Sequence, residues 1–319
     1  MLSNLDKMHV IAVISNPELY KSRYNLYKLF EDDIVRKGAK LWTLEMATGA
    51  RLHQVTGAEQ EKHLQVWSSA LPGVLWHKEN LISVAIQHIS VMYPDFRYVA
   101  WVDADIKFEA GALEQTAQAL QHWDVVQMWS HAIDFCPKGG VLNNKVHLGF
   151  MYAYWNNIKV PGTKKYDGGG QAHPGWAWAA RREALNKLGG LIDWGILGSG
   201  DRHMACALNG RVQDSVHGKM HPTYHKWLNI WQERAEREIK RNVGYVDGTI
   251  RHWYHGEKSL RGYSTRWQIL VKHQFNPETD IKKDVYGLWQ LVVDTPRQRE
   301  LRDDIRKYFK ARKEDALVI

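Results

Sequence analysis

Residues 98–108 read YVAWVDADIKF. Tyr98 to Val102 form a short, continuous apolar run of the kind a fully buried strand shows, and two acids follow at Asp103 and Asp105. Side chains of an extended chain alternate with a period of two, so these carboxylates project to the same side. Upstream, HVIAVIS after Met8 is a second β-branched run, stopped by Asn16-Pro17. Tyr20, Tyr24, Tyr27, Phe30 and Ile34 then recur at helical spacing, and Gly38 stands where that helix would end. KLWTLEM and HLQVWSS read as two more strands with a turn-rich stretch around Gly49 and Gly57 between them, and LISVAIQHISVMY reads as a helix. This β-α-β alternation over the first 110 residues predicts an α/β fold with an open, mostly parallel sheet flanked by helices, whose ligands sit at the carboxyl ends of the strands. Asp103 and Asp105 lie at such an end. No GxGxxG and no GxxxxGK[ST] occurs, which argues against a dinucleotide oxidoreductase or a P-loop enzyme.

Composition narrows the classes further. With 319 residues and a hydrophobic fraction of 44%, the chain can bury a sizeable core. The opening MLSNLDKMHVIAVIS lacks the pattern of a secretory signal, and no apolar run is long enough to span a bilayer, so the expectation is a cytosolic protein with no membrane partner. The two cysteines, Cys136 and Cys206, stand in unrelated contexts and supply neither a disulfide framework nor a CxxC knuckle. Lys and Arg exceed Asp and Glu by 43 to 35, a surplus that attracts a polyanion such as nucleic acid or a sugar nucleotide. Fifteen Trp offer faces that stack on sugars and bases, and they serve equally as core residues.

Further along, KKYDGGGQAHPGWAWAARREALNKLGG carries a glycine-rich loop, an aromatic strand and a short helix ending at Gly189-Gly190. Gly168 to Gly170 lose much backbone entropy on ordering and are expected to form a mobile loop. KWLNIWQERAEREIKRNV places Trp227, Ile230, Trp231 and Ile239 on one face of an amphipathic helix. The tail from Asp280 reads as two helices, the second being the highly charged RQRELRDDIRKYFKARKED.

The chemistry implied by Asp103 and Asp105 is the grip of one hard cation, Mg²⁺ or Mn²⁺, which would neutralise and orient a nucleotide diphosphate leaving group. WVDADIKF is similar to the metal-binding strand of GT-A glycosyltransferases. HPGWAWAARREAL, LGGLIDWGILGSGD and RHWYHGEKSLRGYSTRW, in that order, resemble glycosyltransferases encoded by tailed bacteriophages. The likeness runs from about residue 8 to the C-terminus. It implies a GT-A fold over residues 1–256, with a Rossmann-like donor half of about 1–110 and an acceptor half of about 111–256, and a C-terminal helical extension over 257–319 packed on the same domain.

The same resemblance implies roles. Asp103, Asp105 and His255 would hold the metal, with His252 as the substitute for His255, and an imidazole ligand favours Mn²⁺. Asp201 in LIDWGILGSGD would be the catalytic base of an inverting transfer, with Asp193 as fallback. Where the pattern has an acidic pair this chain has Gly200-Asp201-Arg202, which leaves one carboxylate; Asp201 also suits a helix N-cap. Ser15 and Asn16 would face the base and ribose of a UDP-sugar, Lys78 its pyrimidine or phosphate, Arg261 and Arg266 its diphosphate, and Trp176 and Trp178 a sugar. The expected acceptor is 5-hydroxymethylcytosine in double-stranded phage DNA, with a polysaccharide or protein hydroxyl as the alternative. A metal nuclease built on the same acids and a non-catalytic virion protein are the readings from other classes.

Overall fold

The computed structural model describes residues 4–69, 73–136, 140–158, 172–263 and 265–315. The expected loop at Gly168 to Gly170 lies outside the described residues. The chain runs β1 (Met8–Ser15), α1 (Lys21–Arg36), β2 (Lys40–Thr48), β3 (His63–Ser68), α2 (Lys78–Met92), β4 (Tyr98–Val102), β5 (Ile106–Phe108), α3 (Ala112–Ala119), β6 (Val125–Gln127), β7 (His131–Phe135), β8 (Val141–Gly149) and α4 (Phe150–Trp155). It continues through β9 (Ala172–His173), β10 (Ala177–Arg181), α5 (Arg182–Leu188), α6 (Gly200–Leu208), α7 (Pro222–Glu238), β11 (Val243–Tyr245), β12 (Thr249–Trp253), α8 (Trp267–Lys272), β13 (Ile281–Lys283), β14 (Trp289–Leu291) and α9 (Pro296–Ala311).

The main sheet has seven strands in the order β11-β6-β10-β4-β1-β2-β3. All of its pairings are parallel except those of β10, which runs antiparallel to both β4 and β6. Strand β1 shows why the sheet needs helices on both faces: Val10, Ala12 and Ile14 enter one apolar cluster with Tyr27, Phe30 and Ile34 of α1, while Ile11 enters the other with Leu81, Ala85 and Ile89 of α2. Helix α1 stops two residues before Gly38, whose φ of +76° lies in the left-handed region that a Cβ disfavours. A second sheet, β5-β12-β7-β8-β9, stands beside the first and carries the continuation of the chain beyond β4.

Two local expectations change. In α7 the buried residues are Tyr224, Leu228, Trp231 and Ala235, so Ile230 is 44% exposed although it was assigned to the apolar face. Ile230 lies only one residue from Trp231, about 100° around the helix, whereas the i, i+4, i+7 spacing from Tyr224 selects Leu228 and Trp231. The first of the two helices expected after Asp280 is instead the β13–β14 hairpin, closed by Asp284 accepting from the amides of Tyr286 and Leu288. The final helix forms as expected, opened by a capping box between Thr295 and Gln298 with Pro296 in its first turn. Its Leu301, Ile305, Tyr308 and Phe309 join the larger core cluster. Beyond it, Asp315 accepts from the amides of Lys21 and Ser22 at 2.8 Å, capping the start of α1 from the far end of the chain. Among the described residues no helix is long and apolar enough to cross a membrane.

Candidate metal centre and substrate cleft

The carboxyl ends of β1 and β4 open into a cavity of about 480 Å³. Asp103 follows β4 directly, and its amide donates to the carbonyl of Trp176 at 2.7 Å. The chain then turns through Asp105 into β5, which pairs antiparallel with β12 so that His252 lies opposite Ile106. The amide of Trp253 donates to the carbonyl of Asp105 at 2.8 Å. That pairing sets two imidazoles from β12 and the turn after it beside a carboxylate about 150 residues earlier.

Asp105 Oδ2 lies 2.8 Å from His255 Nε2 and 3.9 Å from His252 Nε2. One ligand atom from each of the three lies within 4.8 Å of the others. Asp105 Oδ1 and His252 Nε2 are buried and have no hydrogen-bond partner among the described residues. His252 Nδ1 is held 2.8 Å from Asp134 Oδ1, and the second oxygen of Asp134 meets His147 Nε2 at 2.9 Å. With its proton on Nδ1 toward Asp134, His252 turns the lone pair of Nε2 toward Asp105. Burial lowers the His252 pKa despite the Asp134 hydrogen bond, which keeps the ring neutral. Burial pushes the Asp105 carboxyl the other way, but His255, His252 and Arg261 outweigh it and hold the acid well below the usual carboxylate range. His255 Nε2 also meets Arg261 Nη2 at 3.1 Å, so this nitrogen faces a donor on one side and a carboxylate on the other. One carboxylate and two imidazoles whose ligand atoms lie within 4.8 Å of one another fit a divalent ion of the Mn²⁺ or Zn²⁺ type better than Mg²⁺, which prefers oxygen.

Asp103, expected as a metal ligand, is not in this cluster. Its Oδ1 lies 2.5 Å from Lys78 Nζ. Burial raises the Asp103 carboxyl, with Asp105 and Asp201 adding to the rise and Lys78 opposing it; burial would lower the Lys78 ammonium, but Asp103, Asp201 and Glu79 outweigh it and hold it far above its ordinary value. His252, read as a substitute for His255, stands with it rather than instead of it.

On the opposite wall, α6 presents Asp201 in its first turn. The residue before the helix is Ser199, at a φ of +77°, and Asp201 Oδ1 accepts from the amide of Arg202 at 2.7 Å. Burial would raise the Asp201 acid, yet Lys78, His173 and Arg266 hold it below the ordinary value, so it is ionised at neutral pH. Glu79 on α2 also lines the cavity, and the sequence reading passed over it. Its side chain packs against Gly200, where a Cβ would come within 2.7 Å of Glu79 Cγ and Cδ.

Ser15, Asn16, Trp176, Arg261 and Arg266 all line the same cavity. Asn16 spends its side-chain amide on Tyr20, donating to its carbonyl and accepting from its amide at 2.8 and 3.0 Å. Trp176, at a φ of +74°, stacks on His173 with ring centroids 3.9 Å apart and on its other side approaches His252 at 4.9 Å. Arg266 donates to Ser199 Oγ at 2.5 Å. Two residues expected near substrate are elsewhere: Trp178 is in the core, its Nε1 donating to Pro174, and Asp193 is tied to Lys283 and Trp289 of the C-terminal hairpin at 3.1 Å each. Sequence reasoning also missed Arg23, Arg312 and Glu314, which border the cavity next to His255. Burial would raise Glu314, but Arg23, His255 and Arg312 hold it far below its ordinary value. Only the folding of the last residues onto α1 brings these groups together; the one local signal was the H-x-x-H spacing of His252 and His255.

No family model matches the chain, and no curated protein matches it in sequence. Among solved structures it is similar to a mutant Drosophila β-1,4-galactosyltransferase 7 in complex with manganese, UDP-Gal and xylobiose, at 11% identity over 92% of this chain and 98% of that one, with a TM-score of 0.39. A glycosyltransferase involved in the glycosylation of the major capsid of PBCV-1 aligns at 9% identity over 94% of this chain and 98% of that one, with a TM-score of 0.30. GalNAc-T7 with UDP, GalNAc and Mn²⁺ aligns at 10% identity over 95% of this chain and 55% of that one, with a TM-score of 0.40.

Proposed function

We propose that the chain is a metal-dependent glycosyltransferase that moves a sugar from a UDP-sugar to a hydroxyl acceptor with inversion. The observation that carries this reading is the cluster of half-buried Asp105 with buried His252 and His255, in which Asp105 Oδ1 and His252 Nε2 have no hydrogen-bond partner among the described residues, set in a cleft at the carboxyl ends of a mostly parallel sheet and faced by the separate carboxylate of Asp201. A divalent ion bound by those three residues would supply the charge neutralisation that makes a nucleoside diphosphate a leaving group. Arg261 and Arg266 reach the same cleft and offer guanidinium donors to diphosphate oxygens. Lys78 holds Asp103 in place at the end of β4. Asp201 accepts the proton of the acceptor hydroxyl while that oxygen bonds to the anomeric carbon, and the electrons of the breaking bond leave with the diphosphate.

For the acceptor, the net charge of +8 favours a polyanion, and 5-hydroxymethylcytosine in duplex DNA is the first to set against neutral glycans and protein hydroxyls. A thermal-shift panel of nucleotide sugars with and without Mn²⁺ tests the donor reading, because a ligand of the folded state raises the melting temperature by mass action. UDP release with hydroxymethylated duplex, unmodified duplex and simple glycans then tests the acceptor. If no UDP-sugar stabilises the protein in Mn²⁺, or if plasmid is nicked in Mg²⁺ without any sugar nucleotide, the reading is wrong.

A further inference from the structure

Glu79 is 4% exposed and lies in the first turn of α2, between two residues whose side chains are spent. Lys78 is paired with Asp103, and Asn80 donates to the carbonyl of Gly287 and accepts from the amide of Trp289. Among the described residues, the Glu79 carboxyl is hydrogen-bonded by its own backbone and by no other residue. A buried acid without such a partner is expensive to keep, so its place in a cavity wall asks for a partner in the ligand. The fold makes room for it: a Cβ at position 200 would fall within 2.7 Å of Glu79 Cγ and Cδ and 2.9 Å of the Ile192 carbonyl. Glycine immediately before Asp201 therefore leaves the space that the carboxyl from α2 occupies.

We propose that Glu79 is a second substrate-binding carboxyl of this site, holding a ring hydroxyl of a sugar bound beside Asp201. The proposal rests on the glycosyltransferase reading above. A phosphate would be repelled by an acid here, and the nearby ammonium of Lys78 is already committed to Asp103. A hydroxyl both donates and accepts, so it suits the carboxyl in either protonation state. Both states are present near neutrality: burial pushes Glu79 up to about 7, with Lys78 opposing and Asp201 and Asp103 adding to the rise. The sugar hydroxyl could belong to the donor or to the acceptor, and the two sources separate by experiment.

Glu79→Gln keeps the shape and removes the charge. Calorimetry in Mn²⁺ compares UDP with UDP-sugars for wild type and variant. A donor contact predicts that the variant binds UDP within about twofold of wild type but loses its preference for the UDP-sugar by about tenfold. An acceptor contact leaves that preference intact and raises the acceptor KM about tenfold at unchanged donor KM. In both cases the variant melts no lower than wild type at pH 8, since a buried charge that no other residue hydrogen-bonds has been removed. Gly200→Ala, which retains the acid but displaces it, should show the same loss of preference or rise in KM. Unchanged donor preference and acceptor KM in Glu79→Gln, or a melting temperature several degrees lower at pH 8, overturns the proposal alone. A wild-type protein that binds no UDP-sugar overturns the parent reading with it.

Discussion

Asp134 is 1% exposed and does not itself line the cleft, yet it hydrogen-bonds His252, so Asp134→Asn is a sharp test of the metal centre. In the wild type one oxygen faces His252 Nδ1 at 2.8 Å and the other His147 Nε2 at 2.9 Å. Asparagine keeps a single acceptor oxygen. One of the two imidazoles then faces an NH₂ group, and the tautomer that leaves the His252 Nε2 lone pair free is no longer enforced. Loss of such a supporting partner weakens metal binding about 10- to 100-fold. A chain of 319 residues unfolds with an entropy of roughly 0.7 kcal/mol/K. Mn²⁺ at a hundred times its Kd stabilises by about 2.7 kcal/mol, which is about 4 °C in melting temperature. At the same Mn²⁺ concentration, tenfold weaker binding leaves about 1.4 kcal/mol, or about 2 °C, and hundredfold weaker binding leaves less than about 1 °C. Differential scanning fluorimetry across a Mn²⁺ series reads these shifts directly. A folded Asp134→Asn protein that keeps the full wild-type response would refute the link from Asp134 through His252 to the ion.

Two further outcomes follow from other buried groups. His9, which accepts from Trp42 Nε1, is lowered to about 4 mainly by burial, and His203 is lowered to about 3 by burial and Arg202. Both are neutral in the fold and take up a proton readily only when unfolded, so their stabilisation is complete above pH 6.5 and is lost as the pH falls through 6.5 toward 4. The loss is on the order of 3 kcal/mol for each. Urea midpoints at pH 7.5 and 4.5 should show it, and a double His9→Gln, His203→Gln variant with an unchanged pH slope would count against it. On α7, Trp231→Ala should cost about 3–5 kcal/mol while Ile230→Ala stays within about 0.5 kcal/mol. Equal losses at the two positions would mean that the helix presents a different face.

The parallel sheet over the first 110 residues was legible because its information is local. Strand β1, helix α1 and strand β4 each declare themselves by an uninterrupted β-branched run or a 3.6-residue period, and their order alone fixes where the carboxyl ends collect. The segment after Asp280 was misread because strands as short as β13 and β14 are too brief to display a period, and a charged surface hairpin resembles a charged surface helix in composition. Position Ile230 was misassigned because four apolar residues within a helix admit more than one stripe until a partner surface selects one.

By itself the chain's order of residues determined an α/β sheet with two acids at a strand end, a late histidine, His255, with His252 as its substitute, and an aspartate opening a glycine-preceded helix. Tertiary structure decided which of them meet. The pairing of β5 with β12 places His252 and His255 against Asp105, while Asp103 meets Lys78 in an ion pair. Packing of α2 against the start of α6 delivers Glu79 over Gly200, and the last residues, folded back on α1, bring Glu314 behind His255. The reason is physical: whether an acid is a ligand, a counter-ion or a hydrogen-bond acceptor depends on charges and burial within a few ångströms, and those neighbours come from sequence positions that no local pattern connects.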